Sequence, residues 1–262
     1  MMNDERKTIS FFIIHHSQFR IQIISPITKG KNMNLPITGL PGVGAARVTT
    51  PREILAGNAQ FAQFIPGLRT IDGSKSRDPL NSPDIDVLRA GTLFGKTSGG
   101  KYAPSVIGVL TVAAANAATS LTVAPAVAAE IVRRIGASGT FKLTGPPAAA
   151  GTVATQTVTF SAVNTSTGVI TCTAIGAASV IGSFIQPTDG SETILTLLGN
   201  KWGVKVTDIS STSTDVLEDQ LLLAGHVKTA NVINYPADTS LVTFVKAAIR
   251  VNCPAVTFDD SF

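Results

Sequence analysis

Residues 155 to 175 set the kind of fold this chain can adopt. In Thr155-Gln156-Thr157-Val158-Thr159-Phe160-Ser161-Ala162-Val163, the threonines at 155, 157 and 159 alternate with Val158, Phe160 and Ala162. Alternate side chains of a strand point to opposite faces, so this stretch has one wet face and one dry face, as an antiparallel sheet with one side in solvent requires. A second run, Val169 to Ile175, follows Asn164-Thr165-Ser166-Thr167-Gly168, whose turn-forming residues join the two runs as a hairpin. Asn164-Thr165-Ser166 is also a glycosylation sequon in form, but the turn accounts for it.

Further short strands are expected from the same alternation. Thr119 to Val123 and Thr140 to Thr144 alternate clearly, and Ser183 to Gln186, Thr193 to Leu198 and Gly203 to Thr207 follow. Helices interrupt them. Pro125 opens one to Ile135, with Gly136 placed to end it. Leu241, Phe244, Val245, Ala248 and Ile249 have amphipathic helical spacing after a cap at Asp238 or Thr239. Upstream, Thr50-Pro51-Arg52-Glu53 reads as a capping box with Pro51 at the first helical position. It predicts a helix to Gln63 or Phe64, with Ile54, Leu55, Phe61 and Phe64 apolar, ended by Pro66-Gly67. The fold class expected is mainly β, built of antiparallel hairpins, with two or three short helices and an extended N-terminal arm.

Residues 1 to 32 read as a leader or upstream extension: Phe11-Phe12-Ile13-Ile14 and Ile21-Gln22-Ile23-Ile24 are too short for a membrane span, and Met33 is the expected initiator. Residues 33 to 85 read as an arm carrying the one helix. Its Gly/Pro-rich part, 34 to 49, lacks periodicity, and 66 to 85 hold the turn signals Asp72-Gly73, Asp78-Pro79 and Ser82-Pro83. The β-rich body is expected over 86 to 262, with 145 to 192 an added hairpin module.

Composition narrows the function classes. Aromatic residues are 6% of the chain against 44% apolar overall, so the interior is built from small and branched side chains rather than the rings that usually line ligand pockets. Charged residues are 15%, below the ordinary proportion of about 25%, which suits a surface covered by neighbours. Of the net charge of +4, residues 1 to 32 supply +3, so the body has no basic face for nucleic acid. Arg133-Arg134 is read as the solvated side of the helix from Pro125. Trp202 is read as a packing anchor. Cys172 and Cys253 are read as buried thiols, with a bridge between them left open.

Candidate chemistry is sparse. His226 is expected at a strand end with a hydrogen-bond partner, and His15 and His16 lie in the leader. The carboxylates Asp84, Asp86, Asp189, Glu192, Asp208, Asp215, Glu218 and Asp219 fall mostly at turn positions, where aspartate bonds its own backbone. No cofactor, no metal, no nucleic acid and no membrane partner is expected, and the chain is not expected to be an enzyme. A carbohydrate-active enzyme using paired carboxylates is the weaker alternative, and a tail-fibre or adhesin-type β module is another.

One stretch demands its own test. Ala90-Gly91-Thr92-Leu93-Phe94-Gly95-Lys96-Thr97 fits a relaxed phosphate-loop pattern, which carries that meaning only when a strand leads through the glycine turn into a helix. Ser98-Gly99-Gly100 and Pro104 oppose a helix there. The expected structure is a strand ending at Leu93-Phe94, a reversal at 98 to 100, and a buried strand returning over Val106 to Leu110.

The same stretch, "AGTLFGKTSGGKYAP" followed by "VIGVLTVAA", then "TSLTV" and "ASGTFKLT", resembles the head decoration proteins of lambda-like tailed phages over about residues 86 to 144. The resemblance implies a small β-tulip-like body and a homotrimer seated at local threefold axes on the outer surface of the expanded capsid. It also implies an N-terminal arm contacting the major capsid protein, with Leu35, Pro36, Ile37, Leu40, Pro41 and Val43 as the candidate contacts. The expected location is the virion, after assembly in the host cytoplasm. The helix at 125 to 135 and the region 145 to 192 depart from the shortest members of that family.

Overall fold

The computed structural model describes residues 51–56, 62–82, 84–145, 153–206 and 215–261. The described chain is mainly β. In order it forms β1 (Gln63–Phe64), β2 (Arg69–Ile71), β3 (Val87–Leu88), β4 (Leu93–Lys96), β5 (Tyr102–Pro104), β6 (Gly108–Val109) and β7 (Ser120–Thr122). Helix α1 (Pro125–Arg134) precedes β8 (Gly139–Gly145), β9 (Ala154–Asn164), β10 (Val169–Cys172), β11 (Phe184–Gln186), β12 (Thr196–Leu197), β13 (Val204–Lys205) and β14 (Val216–Glu218). Then come β15 (Leu222–Lys228), a 3-10 turn (Thr229–Asn231), α2 (Thr239–Asn252) and β16 (Ala255–Asp259).

The hairpin read from the alternation becomes the middle of a six-stranded sheet ordered β6-β11-β8-β9-β10-β7. Its two ends meet: Leu110, just past β6, bridges Val123, just past β7, and the Thr111 N–H donates to the Thr122 carbonyl at 2.9 Å. The sheet thus curls round toward a barrel, its edge strands joined at this bridge. Leu110, Leu121, Phe141, Leu143, Val158, Phe160 and Ile170 fill the inside, and the buried stripe of α1, Val127, Ala128 and Ile131, joins the same cluster. The α1 end is as expected, with the Gly136 N–H donating to the Ile131 carbonyl.

The wet-and-dry pattern holds for the first part of β9. Thr155, Thr157 and Thr159 are exposed and Val158 and Phe160 are buried, but Ala162 is exposed where alternation puts it inside. The cause is a bulge. Thr171 pairs with Ala162 and Cys172 with Phe160, so Ser161 is an extra residue that shifts the phase by one and turns Val163 toward the barrel core.

A five-stranded sheet, β12-β4-β5-β2-β14, curls around a second core of Ile71, Leu88, Phe94, Leu198, Val204, Val206 and Leu221, and the Leu198–Leu221 bridge draws its ends together. The third sheet, β1-β15-β16, contains a parallel pair, β15 with β16, joined by the 3-10 turn and α2. Asp238 caps α2 by accepting from the N–H groups of Ser240 and Leu241. The helix buries Leu241, Val245 and Ile249 among Leu222, Val227 and Val256.

Several expectations are corrected. No helix forms over the described residues of 50 to 64: Leu55 bridges Val227, the Ala56 N–H donates to the His226 carbonyl, and Gln63–Phe64 is β1. The stretch expected as arm packs into the body as far as its described residues go, with Ile54, Leu55 and Ile71 in the cores and β2 within 66 to 85. Residues 145 to 192 are not an appendage, since β9, β10 and β11 are half of the six-stranded sheet. The cysteines are buried thiols as expected, and both are free, Cys172 in the barrel and Cys253 beside α2. Trp202 is 41% exposed, with the Lys201 ammonium 5.7 Å from its ring centroid, and so does not anchor a core. No helix among the described residues is long and apolar enough to cross a membrane.

Candidate functional site

The phosphate-loop-like stretch is a β-hairpin. Phe94, Gly95 and Lys96 pair with Pro104, Ala103 and Tyr102, so the returning strand is β5, not Val106 to Leu110, and β6 belongs to the barrel instead. The amides that would cradle a phosphate already donate within the protein. Gly91 N–H goes to the Leu198 carbonyl, Thr97 N–H to the Lys101 carbonyl and Ser98 N–H to the Asp189 carbonyl. The glycines have packing reasons. Gly91 sits at φ +89° with the Asn231 carbonyl where a Cβ would be, and a Cβ on Gly95 would collide with the backbone of Ser191.

Of the carboxylates singled out in the sequence, Asp189 gathers the most partners. The Arg134 side chain, only 2% exposed, reaches it at 3.2 Å while also donating to the Pro104 carbonyl at 2.8 Å and Ser191 Oγ at 2.7 Å. Lys75 approaches the same carboxylate at 3.3 Å. Burial alone would raise the Asp189 carboxyl, but Arg134, the hydroxyl and N–H of Ser191, and Lys75 together hold it at about 2. The solvated reading of Arg133-Arg134 is thus corrected for Arg134, which ties α1 to the loop between β11 and β12 and to β5. Arg133 stays at the surface and pairs with the buried Glu130. Nearby, Lys142 meets Glu192 at 2.7 Å.

His226 sits within β15 rather than at its end, and it does have partners across the parallel ladder. Its Nδ1 is 2.7 Å from Thr257 Oγ1 and its Nε2 is 3.2 Å from Asp259 Oδ2. The Ser261 hydroxyl and N–H, with His226, keep the Asp259 carboxyl below its ordinary range. The hydroxyl–imidazole–carboxylate order is that of a proton relay, but it lies on an open sheet face, and its direct effect is to bind β16 to β15 by side chains as well as backbone. The remaining carboxylates are dispersed: Asp215 pairs with Lys101, and Glu218 is buried in β14, where desolvation raises its pKa. Asp208 lies outside the described residues. Among the described residues no group of three or more His, Cys, Asp or Glu is placed to hold a metal.

The sequence reading passed over an apolar pair at the surface. The bonds joining Leu110 to Gly182 and Ser183, and Ala114 to Ser179, tie the loop that carries Val112 to the loop that carries Ile181. Val112 is 53% exposed and Ile181 63%. Both lie in loops of small uncharged residues, "TVAAANA" and "GAASVIG", so no charge rims the pair along the chain. Isolated exposed aliphatics are ordinary; two on loops bonded to each other make a candidate contact surface. The signal available in the sequence was the lack of any charge around them. The candidate arm contacts Leu35, Pro36, Ile37, Leu40, Pro41 and Val43 lie outside the described residues.

No protein-family model, no curated protein and no solved structure matches this chain.

Proposed function

We propose that this protein is a structural component of a virion: a head decoration protein that seats on the outer surface of an expanded capsid as a homotrimer and stabilises the shell. The observation that carries the reading is the exposure of Val112 and Ile181 on two loops bonded to each other in a charge-poor part of the chain, apolar surface that gains stability when another protein covers it. The quoted resemblance over residues 86 to 144 supplies the identity of that protein, the major capsid protein. Residues 34 to 49, with Leu35, Pro36, Ile37, Leu40, Pro41 and Val43, form a second contact in this reading, because a Gly/Pro segment without an apolar periodicity has backbone groups to offer a capsid strand. No catalytic step and no cofactor is assigned.

The test is co-sedimentation of the full chain with expanded and unexpanded tailed-phage capsids. Binding to expanded shells alone is expected, with binding reduced by Val112→Asp together with Ile181→Asp and lost on deletion of residues 34 to 49. Binding to neither shell overturns the reading.

A further inference from the structure

We propose that Thr257 is an activated nucleophile: with His226 as its base and Asp259 as the group that orients the base, it takes the acyl group of a small activated ester and becomes an acyl-threonine. This activity is independent of shell binding. His226 is the only histidine among the described residues, and it lies on β15 directly opposite Thr257 of β16 in the parallel ladder. Side chains of a strand alternate between its faces, so Asp259, two residues past Thr257, lies on the same face. The Nδ1 to Oγ1 distance of 2.7 Å and the Nε2 to Oδ2 distance of 3.2 Å put the imidazole between the hydroxyl and the carboxylate. From the far side, the Ser261 N–H and hydroxyl both donate to Asp259 Oδ1 and fix the carboxylate.

The partners decide where the protons sit. An ionised carboxylate only accepts, so the imidazole proton belongs on Nε2, and Nδ1 keeps a lone pair aimed at the Thr257 hydroxyl. The hydroxyl's other acceptor, the Gly225 carbonyl, is 3.5 Å away, so the shorter bond to Nδ1 governs it. A hydroxyl, a base within hydrogen-bond reach of it and a third group orienting the base are the parts of a nucleophilic triad on any fold. The sheet edge adds a donor for the developing oxyanion. The His226 carbonyl and the Lys228 N–H bond the segment 54 to 56, so Gly225 and Val227 face β16, and their bonding partners there are Ala255, Thr257 and Asp259. The N–H of Phe258, next after the nucleophile, therefore points out of the edge, where no strand among the described residues pairs with β16.

Thr257 Oγ1 attacks the carbonyl carbon of the ester while its proton passes to His226 Nδ1. The bond from that carbon to the leaving oxygen then breaks, and the leaving group departs with the electron pair and takes the proton. No other reagent is consumed. With a single oxyanion donor and an open face, His226 being 48% exposed, the acyl donor must bring its own activation, which selects aryl esters and thioesters over amides. Two residues before His226 and Thr257 on the same face are Ala224 and Ala255, whose methyl groups leave room beside the hydroxyl for a short acyl chain.

The experiment treats the full chain with 4-nitrophenyl acetate and maps hydroxylamine-labile acetyl esters by mass spectrometry of its peptides, which separates threonine esters from lysine amides. Thr155, Thr157 and Thr159, exposed on β9, are internal references, since the one described imidazole bonds Thr257 and Asp259 instead. Thr257 should acetylate about a hundredfold faster than these, within the range that general-base assistance supplies. His226→Gln should bring it down to the reference rate, Asp259→Asn should slow it by about tenfold or more through the wrong tautomer, and Thr257→Ser should keep the ester. Unfolding the wild type in urea should abolish the preference, which tests the geometry without any variant. Acetylation of Thr257 no faster than Thr157 overturns the proposal, as does a preference that survives in urea or a His226→Gln chain that labels like wild type.

Discussion

Arg134 and Asp189 show how much one buried pair can organise. From the carbonyl of Pro104 on β5 to Ser191 beyond β11, the guanidinium joins the five-stranded sheet, α1 and a loop of the barrel side. Removing it by Arg134→Met leaves Asp189, 21% exposed, without its main counter-ion, and should cost about 2 to 4 kcal/mol in thermal or denaturant unfolding. The same pair sets an acid limit. Because the folded-state pKa of about 2 lies below the ordinary 3.8, the ionised carboxylate contributes stability that is fully present above about pH 4 and is lost as the pH falls through about 2. That contribution is about 1 to 2 kcal/mol, allowing for the solvent that still reaches the carboxylate. Thermal melts of wild type and Asp189→Asn from pH 5 to pH 2 should converge at the acid end. Curves that stay parallel throughout would assign the acid sensitivity to other carboxylates.

Elements whose signals are local were legible in the sequence; elements that depend on distant partners were not. α2 has its Asp238 cap and apolar stripe within 14 helical residues, and the β9–β10 hairpin has its alternation and turn in one run, with Asn164 Oδ1 accepting from the N–H groups of Ser166 and Thr167. The capping box at Thr50 to Glu53 is as strong locally, yet the Arg52 N–H goes to the Lys201 carbonyl, and the Ile54 carbonyl accepts from Lys228. Those backbone groups are taken by a turn and a strand that arrive some 150 or more residues later in the sequence, and pairing with β15 overrides helix propensity. The Ser161 bulge, the burial of Arg134 and the bonds that tie the loop of Val112 to the loop of Ile181 are likewise properties of pairings rather than of runs. Contact between α1 and β6 tests the barrel at this scale. A Cβ on Gly108 would overlap the Val127 side chain, so Gly108→Ala should destabilise by roughly 1 to 3 kcal/mol through overpacking. Val127→Ala alone should also destabilise, by leaving a cavity. The double variant should lose less than the two singles combined, because each relieves the other; strict additivity would show that α1 does not bear on β6.

The two cores nearest the barrel share a wall. Val106 and Phe184 belong to the cluster around α2, while their chain neighbours Ile107 and Ile185 belong to the barrel interior. Successive residues of a strand point to opposite faces, so β11 and the segment entering β6 are each buried on both sides, and neither core can open without exposing the other's lining. The barrel and the α2 layer should therefore unfold together. The free thiols read this directly, since Cys172 lies in one cluster and Cys253 in the other, 6% and 1% exposed. Burial raises both thiol pKa values, which keeps the reactive thiolate scarce until the surrounding core opens. In rising urea, labelling of the two cysteines, followed by mass spectrometry of their separate peptides, should show one common midpoint. Phe184→Ala, which removes a ring from the shared wall at a cost of about 3 to 5 kcal/mol, should move both midpoints down together. If Cys172 were labelled well before or after Cys253, the barrel would be an independently folding unit and β11 a seam between two units rather than a wall common to both.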